Sequence, residues 1–249
     1  NGSNINENCG STHPGIAAQT VVAHGADVGI CLDGDADRVI ILDETGRVAD
    51  GDQIMALMAA RWADESRLKD GTLVATVMSN LGLERFLHGR GLQLERTPVG
   101  DRYVVEAMQR GGWNLGGEQS GHIVMTDFAT TGDGLMAGMQ FLAAMASSGQ
   151  SASTLVRSFE PVPQLLNNVR FQAGQTPLAA PEVQAVIASA EAELKGRGRL
   201  LIRKSGTEPL VRIMAECEDD QLLQSVVSEV AAAVEAAVKD PQAASFVWN

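Results

Sequence analysis

Three aspartates alternate with small residues in the segment Asp33-Gly34-Asp35-Ala36-Asp37, and Arg38 follows directly. Residues two apart point the same way in an extended loop, so these carboxylates converge and repel one another unless a cation lies among them. Carboxylate oxygens favour Mg²⁺ or Ca²⁺ over Zn²⁺. Arg38 suits a site that holds a metal together with a phosphate group. The alternatives are a solvated acidic turn and an EF-hand loop, which would need glycine where Arg38 stands.

A second segment, Gly116-Gly117-Glu118-Gln119-Ser120-Gly121-His122, places Glu118, Ser120 and His122 among glycines. Glycines let the backbone approach a ligand closely, and both the carboxylate of Glu118 and the hydroxyl of Ser120 can accept hydrogen bonds from vicinal sugar hydroxyls. A plain glycine-rich turn with a capping glutamate is the alternative. His122 alone is more typical of a structural histidine than of a catalytic one.

A third segment, Arg203-Lys204-Ser205-Gly206-Thr207-Glu208-Pro209, lies between two apolar runs, and Arg212 follows it. Arg203 and Arg212 bracket hydroxyls at Ser205 and Thr207, and the backbone N–H groups near Gly206 can contact phosphate oxygens as well. The order of residues differs from a Walker loop. We interpret the segment as a phosphate-binding loop, with a hairpin that has basic flanks as the alternative.

A fourth segment, Thr97-Pro98-Val99-Gly100-Asp101-Arg102-Tyr103, combines a proline–glycine turn with a candidate helix cap at Asp101. The cap is compatible with a ligand-binding role for Gly100, Asp101 and Arg102.

The elements that must position these segments follow from apolar periodicity. Strands alternate with helices up to the break at Glu160–Pro163, which predicts an α/β region with a partly parallel sheet, and a smaller α+β region follows. Met136, Met139 and Met145 are predicted as core residues. The predicted strands are 28–32, 39–42, 72–78, 92–96, one near Trp113 before a Gly116-Gly117 turn, 122–126, 164–171, 200–203 and 210–215. The predicted helices begin at or near Asp52, Gly82, Asp101, Asp133, Pro181 and Asp219.

Composition limits the classes of function. A net charge of −12 argues against nucleic acid as a partner, because a phosphate backbone needs a basic face. Apolar residues make up 45% of the 249, enough for two or three folded domains, and no apolar run predicts a membrane span. The scattered Cys9, Cys31 and Cys217 favour a reducing, cytoplasmic compartment. The polar start without methionine favours a fragment whose natural beginning is missing over a processed terminus.

In this order, the four segments resemble the α-D-phosphohexomutase family over essentially the whole chain. The Asp33–Arg38 motif marks the family. Gln119 before Ser120, together with Thr131-Gly132-Asp133-Gly134, is similar to its glucosamine branch rather than its mannose/glucose branch.

The resemblance implies that Asp33, Asp35 and Asp37 bind Mg²⁺ and that Arg38 lies beside the transferring phosphate. It implies a substrate site at Gly100, Asp101, Arg102, Glu118, Ser120 and His122, and a clamp for the non-reacting phosphate at Arg203, Ser205, Gly206, Thr207 and Arg212. The implied reaction interconverts a hexosamine 6-phosphate and 1-phosphate through a bisphosphorylated sugar, and it feeds cell-wall precursor synthesis. A homodimer of the full-length protein is compatible with the resemblance.

The resemblance also implies three domains: the remainder of a second domain at 1–47, a third domain at 48–160 and a fourth domain at 161–249. The family transfers phosphate from a phosphoserine in a Ser-His-Asn-Pro loop, and the 249 residues contain no such run. Ser11-Thr12-His13-Pro14 lacks the asparagine and lies too close before the metal loop, so we do not assign the nucleophile there. We therefore expect no mutase activity from this chain alone. A mannose- or glucose-phosphate mutase and a non-catalytic sugar-phosphate-binding fragment remain alternatives.

Overall fold

The structure is a computed structural model that describes residues 2–205 and 208–239. Contacts divide the chain into two compact units, Asn1–Pro161 and Val162–Asn249. The α/β class and the smaller α+β region at the C-terminal end are confirmed. The finer assignment of 1–47 and 48–160 to separate domains stays a prediction.

Unit 1 contains seven strands and six α-helices among its described residues. The strands are β1 (Val28–Leu32), β2 (Val39–Asp43), β3 (Val48–Ala49), β4 (Thr72–Thr76), β5 (Gln93–Thr97), β6 (Leu115–Gly117) and β7 (Ile123–Met125). The helices are α1 (Gly15–His24), α2 (Gly51–Asp64), α3 (Leu81–Gly89), α4 (Asp101–Gly111), α5 (Gly134–Ser148) and α6 (Ala152–Leu155).

Two sheets form the frame of unit 1. In the first, β1, β2 and β3 are antiparallel in that order. In the second, the order is β5-β4-β6-β7, with β4 parallel to β5 and β6, and β7 antiparallel to β6. Trp62, Met55 and Met58 of α2 are fully buried in the core that also contains side chains from β2, β4 and α5. The buried apolar face of α2 thereby anchors the loops at its N-terminal end.

The structure differs from the sequence predictions at several places, and three of them bear on the elements around the loops. Helix α1 was not predicted, because its apolar residues do not form one stripe: Val21 is buried whereas Ile16 and Val22 are exposed. Gly116 and Gly117 are in strand β6 rather than in a turn. Met139 is 54% exposed, so its prediction as a core residue was wrong, whereas Met136 and Met145 pack against the core.

Unit 2 is a three-stranded antiparallel sheet with two α-helices among the described residues. Its elements are β8 (Gln164–Arg170), α7 (Pro181–Leu194), β9 (Gly198–Lys204), β10 (Leu210–Cys217) and α8 (Asp220–Lys239), and the strand order is β8-β10-β9. Helix α8 is long and apolar enough to cross a membrane by length and composition alone. Its residues Leu223, Val226, Val230 and Val234 are buried in the core of unit 2, as expected of a helix that packs on a sheet.

Candidate functional site

The three predicted metal ligands converge. One carboxylate oxygen from each of Asp33, Asp35 and Asp37 lies within 4.8 Å of the others. They lie in the loop between β1 and β2, an antiparallel pair whose ends fix both sides of the loop. Oδ1 of Asp37 is buried and has no hydrogen-bond partner among the described residues. Carboxylate oxygens this close together, one of them without a protein donor, fit a hard divalent cation.

Arg38 closes the acidic loop. Its backbone N–H donates to Oδ1 of Asp33 at 3.1 Å, and its Nε lies 3.7 Å from carboxylate oxygens of both Asp33 and Asp37. The arginine side chain is 43% exposed, so part of its guanidinium remains accessible. This position allows Arg38 to contact a second anion that approaches the metal site.

Neighbouring elements hold the acidic loop in place. Ala36 adopts a left-handed φ of +60°, and its N–H donates to the carbonyl of Asp33 at 3.2 Å. The N–H of Gly134, at the start of α5, donates to the carbonyl of Ala36 at 2.9 Å. A Cβ at Gly134 would lie 2.6 Å from the carbonyl oxygen of Arg38, so this close approach requires glycine. The family-like motif at 131–134 thus has a packing role that its spacing did not reveal.

The predicted sugar loop is a tight turn between β6 and β7. The N–H of Gly121 donates to the carbonyl of Glu118 at 3.0 Å. Oε1 of Glu118 accepts the N–H of Gly100 at 3.1 Å, and its Oε2 lies 3.4 Å from the hydroxyl of Ser120. The structure therefore brings Gly100, Glu118 and Ser120 together, although they come from separate segments of the sequence.

The sugar loop and the acidic loop are also in contact. Arg38 and His122 form an antiparallel β-bridge, and the N–H of Val39 donates to the carbonyl of Gly121 at 3.0 Å. Nδ1 of His122 lies 3.0 Å from Oδ2 of Asp37. The two segments predicted to bind the metal and the sugar are therefore in direct contact in unit 1.

Asp101 and Arg102 lie in the first turn of α4, next to this site. Gly100, not Asp101, takes the N-cap position, and its φ of +132° favours glycine; the predicted capping role of Asp101 was therefore wrong. Arg102 pairs with Glu106 one helical turn later on an exposed surface, so a ligand would have to compete with Glu106 for this arginine.

The N-terminal end of α2 packs against the sugar loop, a contact that the sequence did not indicate. The N–H of Gly51 donates to the carbonyl of Gln119 at 3.0 Å, and a Cβ at residue 51 would overlap the carbonyl oxygen of Glu118. Asp50 caps the helix by accepting the N–H of Gln53, and the side chain of Gln119 lies near the carboxylate of Asp50. Gln119 therefore contacts the N-terminal end of α2.

Asp52 is buried in the same turn and accepts the N–H of Asn80 at 2.7 Å. Burial, and to a lesser degree the charge of Asp50, raise the pKa of Asp52 from 3.8 to about 7. The folded protein therefore binds this proton more tightly than the unfolded chain does. The contribution of Asp52 to stability is complete below about pH 4 and is lost as the pH rises toward 7.

Replacing Asp52 with asparagine is expected to flatten this pH dependence, because the amide keeps the oxygen that accepts from Asn80 and cannot ionise. Between pH 4 and pH 7 the unfolding free energy of the wild type should fall relative to that of Asp52→Asn by roughly 3 kcal/mol. Urea denaturation at several pH values measures the difference. Asp27→Asn, at an exposed carboxylate, is the matched control. Equal pH slopes for the wild type and Asp52→Asn would contradict the assignment.

The phosphate-loop residues that the structure describes lie in unit 2, at the ends of β9 and β10. Arg203 and Arg212 are directly opposite each other in the antiparallel pair, and Nε of each is buried with no hydrogen-bond partner in the described parts of the chain. Burial and then the charge of Arg212 lower the pKa of Arg203. Two like charges across one pair attract an anion between them.

Ser205 begins the turn that follows β9. Its N–H donates to the carbonyl of Leu210 at 2.9 Å, and its hydroxyl accepts the N–H of Glu208 at 3.3 Å. The predicted phosphate ligands Gly206 and Thr207 lie outside the described residues.

Comparison with known proteins gives the family. Residues 50–162 match the family model for phosphoglucomutase/phosphomannomutase, alpha/beta/alpha domain III, and residues 166–233 match the model for the C-terminal domain of the same family. The chain is 80% identical over 234 residues to a phosphoglucosamine mutase of Cereibacter sphaeroides, covering 94% of this chain and 52% of that protein. It is 71% identical over 238 residues to a phosphoglucosamine mutase of Ruegeria sp., covering 96% and 53%. The chain thus spans about half the length of these curated relatives.

A solved structure shares the fold. The N-acetylphosphoglucosamine mutase of Aspergillus fumigatus, in complex with GlcNAc-6P and magnesium, matches with a TM-score of 0.74 and 25% identity over 94% of this chain and 54% of that one. The two consecutive domain models, the relatives and this fold agree with the resemblance of the four sequence segments. The chain belongs to the phosphoglucomutase/phosphomannomutase family, the α-D-phosphohexomutases.

Proposed function

We propose that this chain is the metal-, sugar- and phosphate-binding part of a phosphoglucosamine mutase, which interconverts glucosamine 6-phosphate and glucosamine 1-phosphate. The observation that carries the proposal is the junction in unit 1, where three converging carboxylates and Arg38 are joined to the Glu118–His122 loop by a β-bridge. A cation site in direct contact with a candidate sugar site is what phosphoryl transfer on a sugar requires.

Asp33, Asp35 and Asp37 would bind Mg²⁺, and the proximity of their oxygens together with the unsatisfied Oδ1 of Asp37 supports this. When bound, Mg²⁺ would neutralise charge that develops on the transferring phosphate. Arg38 would contact the same phosphate, because its half-exposed guanidinium is held next to two of the ligands. We assign Arg38 as the catalytic residue of this chain on that basis.

The sugar would bind at Glu118 and Ser120, with Gly100, Asp101, Arg102 and His122 around them. The hydrogen bond from Gly100 to Glu118 supports a single site formed by these segments. The side chain of His122 is only 4% exposed, so it offers a sugar little surface.

The non-reacting phosphate would bind at Arg203 and Arg212, together with Ser205, Gly206 and Thr207. The Nε atoms of both arginines are buried and have no hydrogen-bond partner among the described residues. A clamp of two arginines suits a phosphate that is held but not transferred, since paired guanidinium groups supply several fixed donors.

The preference for glucosamine phosphate rests on the relatives that share 71–80% identity with this chain. Gln119 is not assigned a substrate contact, since its side chain lies near Asp50 at the start of α2. We place the protein in the cytoplasm, which the three free cysteines support. Neither nucleic acid nor membrane is part of the proposal, and dimerisation of the full-length protein stays a prediction.

Joining this chain to the preceding half of the Cereibacter sphaeroides relative tests the function. The fusion is expected to interconvert glucosamine 6-phosphate and 1-phosphate, followed by ³¹P NMR with the bisphosphorylated sugar present, and to act at least ten-fold faster on glucosamine 6-phosphate than on mannose 6-phosphate. The 249-residue chain alone should bind glucosamine 6-phosphate in calorimetry without converting it. Preference for mannose 6-phosphate by the fusion, or turnover by the chain alone, would contradict the proposal.

A further inference from the structure

His122 is buried at the junction of the sugar loop and the acidic loop. The residue is 3% exposed, and its Nδ1 lies 3.0 Å from Oδ2 of Asp37. Because the carboxylate can only accept, Nδ1 carries the proton in this hydrogen bond. A side chain so enclosed has little surface to offer a sugar but makes a direct contact with a candidate metal ligand.

The ring of His122 is fixed from two directions. The backbone of His122 pairs with that of Arg38, the residue that follows Asp37. On the other side, Gly132 packs against the ring so closely that a Cβ at residue 132 would overlap its Cε1 and Nε2 atoms. The ring therefore cannot turn away from Asp37 without moving either the β-bridge or the segment that leads into α5.

The two oxygens of Asp37 have different environments as a result. Oδ2 is held by His122, whereas Oδ1 is buried, lies 3.7 Å from Nε of Arg38 and has no hydrogen-bond partner among the described residues. A donor on one oxygen fixes the plane of the carboxylate and presents the other oxygen to a ligand.

We infer that His122 is a positioning residue for the metal ligand Asp37, held in place by Gly132, and that it couples the order of the sugar loop to metal affinity. The inference rests on the proposed metal-binding role of Asp37. It differs from a substrate-binding role, because His122 acts through the orientation of a carboxylate. Ordering of the sugar loop should then strengthen metal binding, and metal binding should order the sugar loop to the same extent.

Two substitutions of similar polarity separate the roles of the ring nitrogens. In His122→Asn the amide nitrogen falls near the position of Nδ1, and in His122→Gln it falls near that of Nε2. Mn²⁺ binding to the 249-residue chain, measured by electron paramagnetic resonance, should weaken by about ten-fold or more in His122→Gln and by less than about three-fold in His122→Asn. Gly132→Ala, which displaces the ring without touching a ligand, should weaken binding as His122→Gln does. His88→Gln, at an exposed histidine, is the control.

The outcomes separate this inference from the proposed function. Equal Mn²⁺ affinity in the wild type, His122→Asn and His122→Gln would overturn the positioning role and leave the metal site intact. Weaker binding of glucosamine 6-phosphate with unchanged Mn²⁺ affinity would also overturn it, in favour of a substrate contact. Absence of Mn²⁺ binding by the folded wild-type chain would overturn the metal assignment itself. Circular dichroism establishes that each variant is folded, and if His122→Gln does not fold, the comparison of Gly132→Ala with the wild type decides.

Discussion

Replacing Gly121 with alanine is expected to lower the unfolding free energy of unit 1 by about 3 kcal/mol or more. Gly121 has a φ of +94°, a conformation that side chains rarely adopt, and a Cβ at this position would overlap the carbonyl oxygen of Val39. The position of the added Cβ is set by the backbone, and the atom it would meet is a backbone oxygen of a paired segment, so no change of rotamer relieves the clash. The N–H of Val39 also donates to the carbonyl of Gly121, and the substitution would break the contact between the sugar and acidic loops.

Two matched substitutions separate the cost of the positive φ from the cost of the steric clash. Gly149→Ala imposes a similar positive φ, +66°, at a site with no atoms within 4 Å of the added Cβ, and should cost about 1 kcal/mol from strain alone. Gly89→Ala, in open space at the end of α3, should be neutral or slightly stabilising. Urea denaturation followed by tryptophan fluorescence compares the three variants. A loss for Gly121→Ala no larger than that for Gly149→Ala would show that the loops are not packed as described.

Replacing Asp35 with asparagine should weaken Mg²⁺ or Mn²⁺ binding by roughly 30-fold or more, because the site loses one of its three charges. Asp35 is the exposed member of the cluster, and the structure shows no ion pair between it and Arg38. Replacing Asp35 therefore removes one charge from the cluster and leaves the contacts of Arg38 with Asp33 and Asp37 in place. In the metal-free protein the same change should leave the melting temperature unchanged or raise it, because three carboxylates within 4.8 Å repel one another.

A loss of metal affinity without any loss of stability in the metal-free protein distinguishes a metal site from a structural turn. Calorimetric titration with Mg²⁺ and thermal denaturation in a chelator measure them on the same protein. Asp27→Asn changes the net charge equally at an exposed position outside the cluster and should alter neither quantity. A metal-free Asp35→Asn protein that is clearly less stable than the wild type would indicate that the loop is a structural turn.

Elements with local signals were predicted well. The strands on either side of the acidic loop appear at the predicted positions, because apolar runs of four or five residues next to polar turns reflect burial directly. The start of α2 was predicted within two residues, since Asp50 and Asp52 are both compatible with a cap. Helix α1 lacks an amphipathic stripe and was not predicted, whereas the Gly116–Gly117 strand has the composition of a turn and was wrongly predicted as one.

By itself, the sequence indicated which kinds of chemical groups each candidate loop carries. The alternating aspartates were predicted to converge in an extended loop, and they do. Anion binding by the arginines on either side of the hydroxyl-rich turn stays a prediction; both interpretations come from neighbouring residues alone. Only the tertiary structure decided which of these groups contact residues that are distant in the sequence. His122 holds Asp37 although 85 positions separate them, and Gly51, Gly121 and Gly132 are glycines because another segment approaches their Cα atoms. Such contacts depend on how distant segments pack, and no local periodicity records that packing.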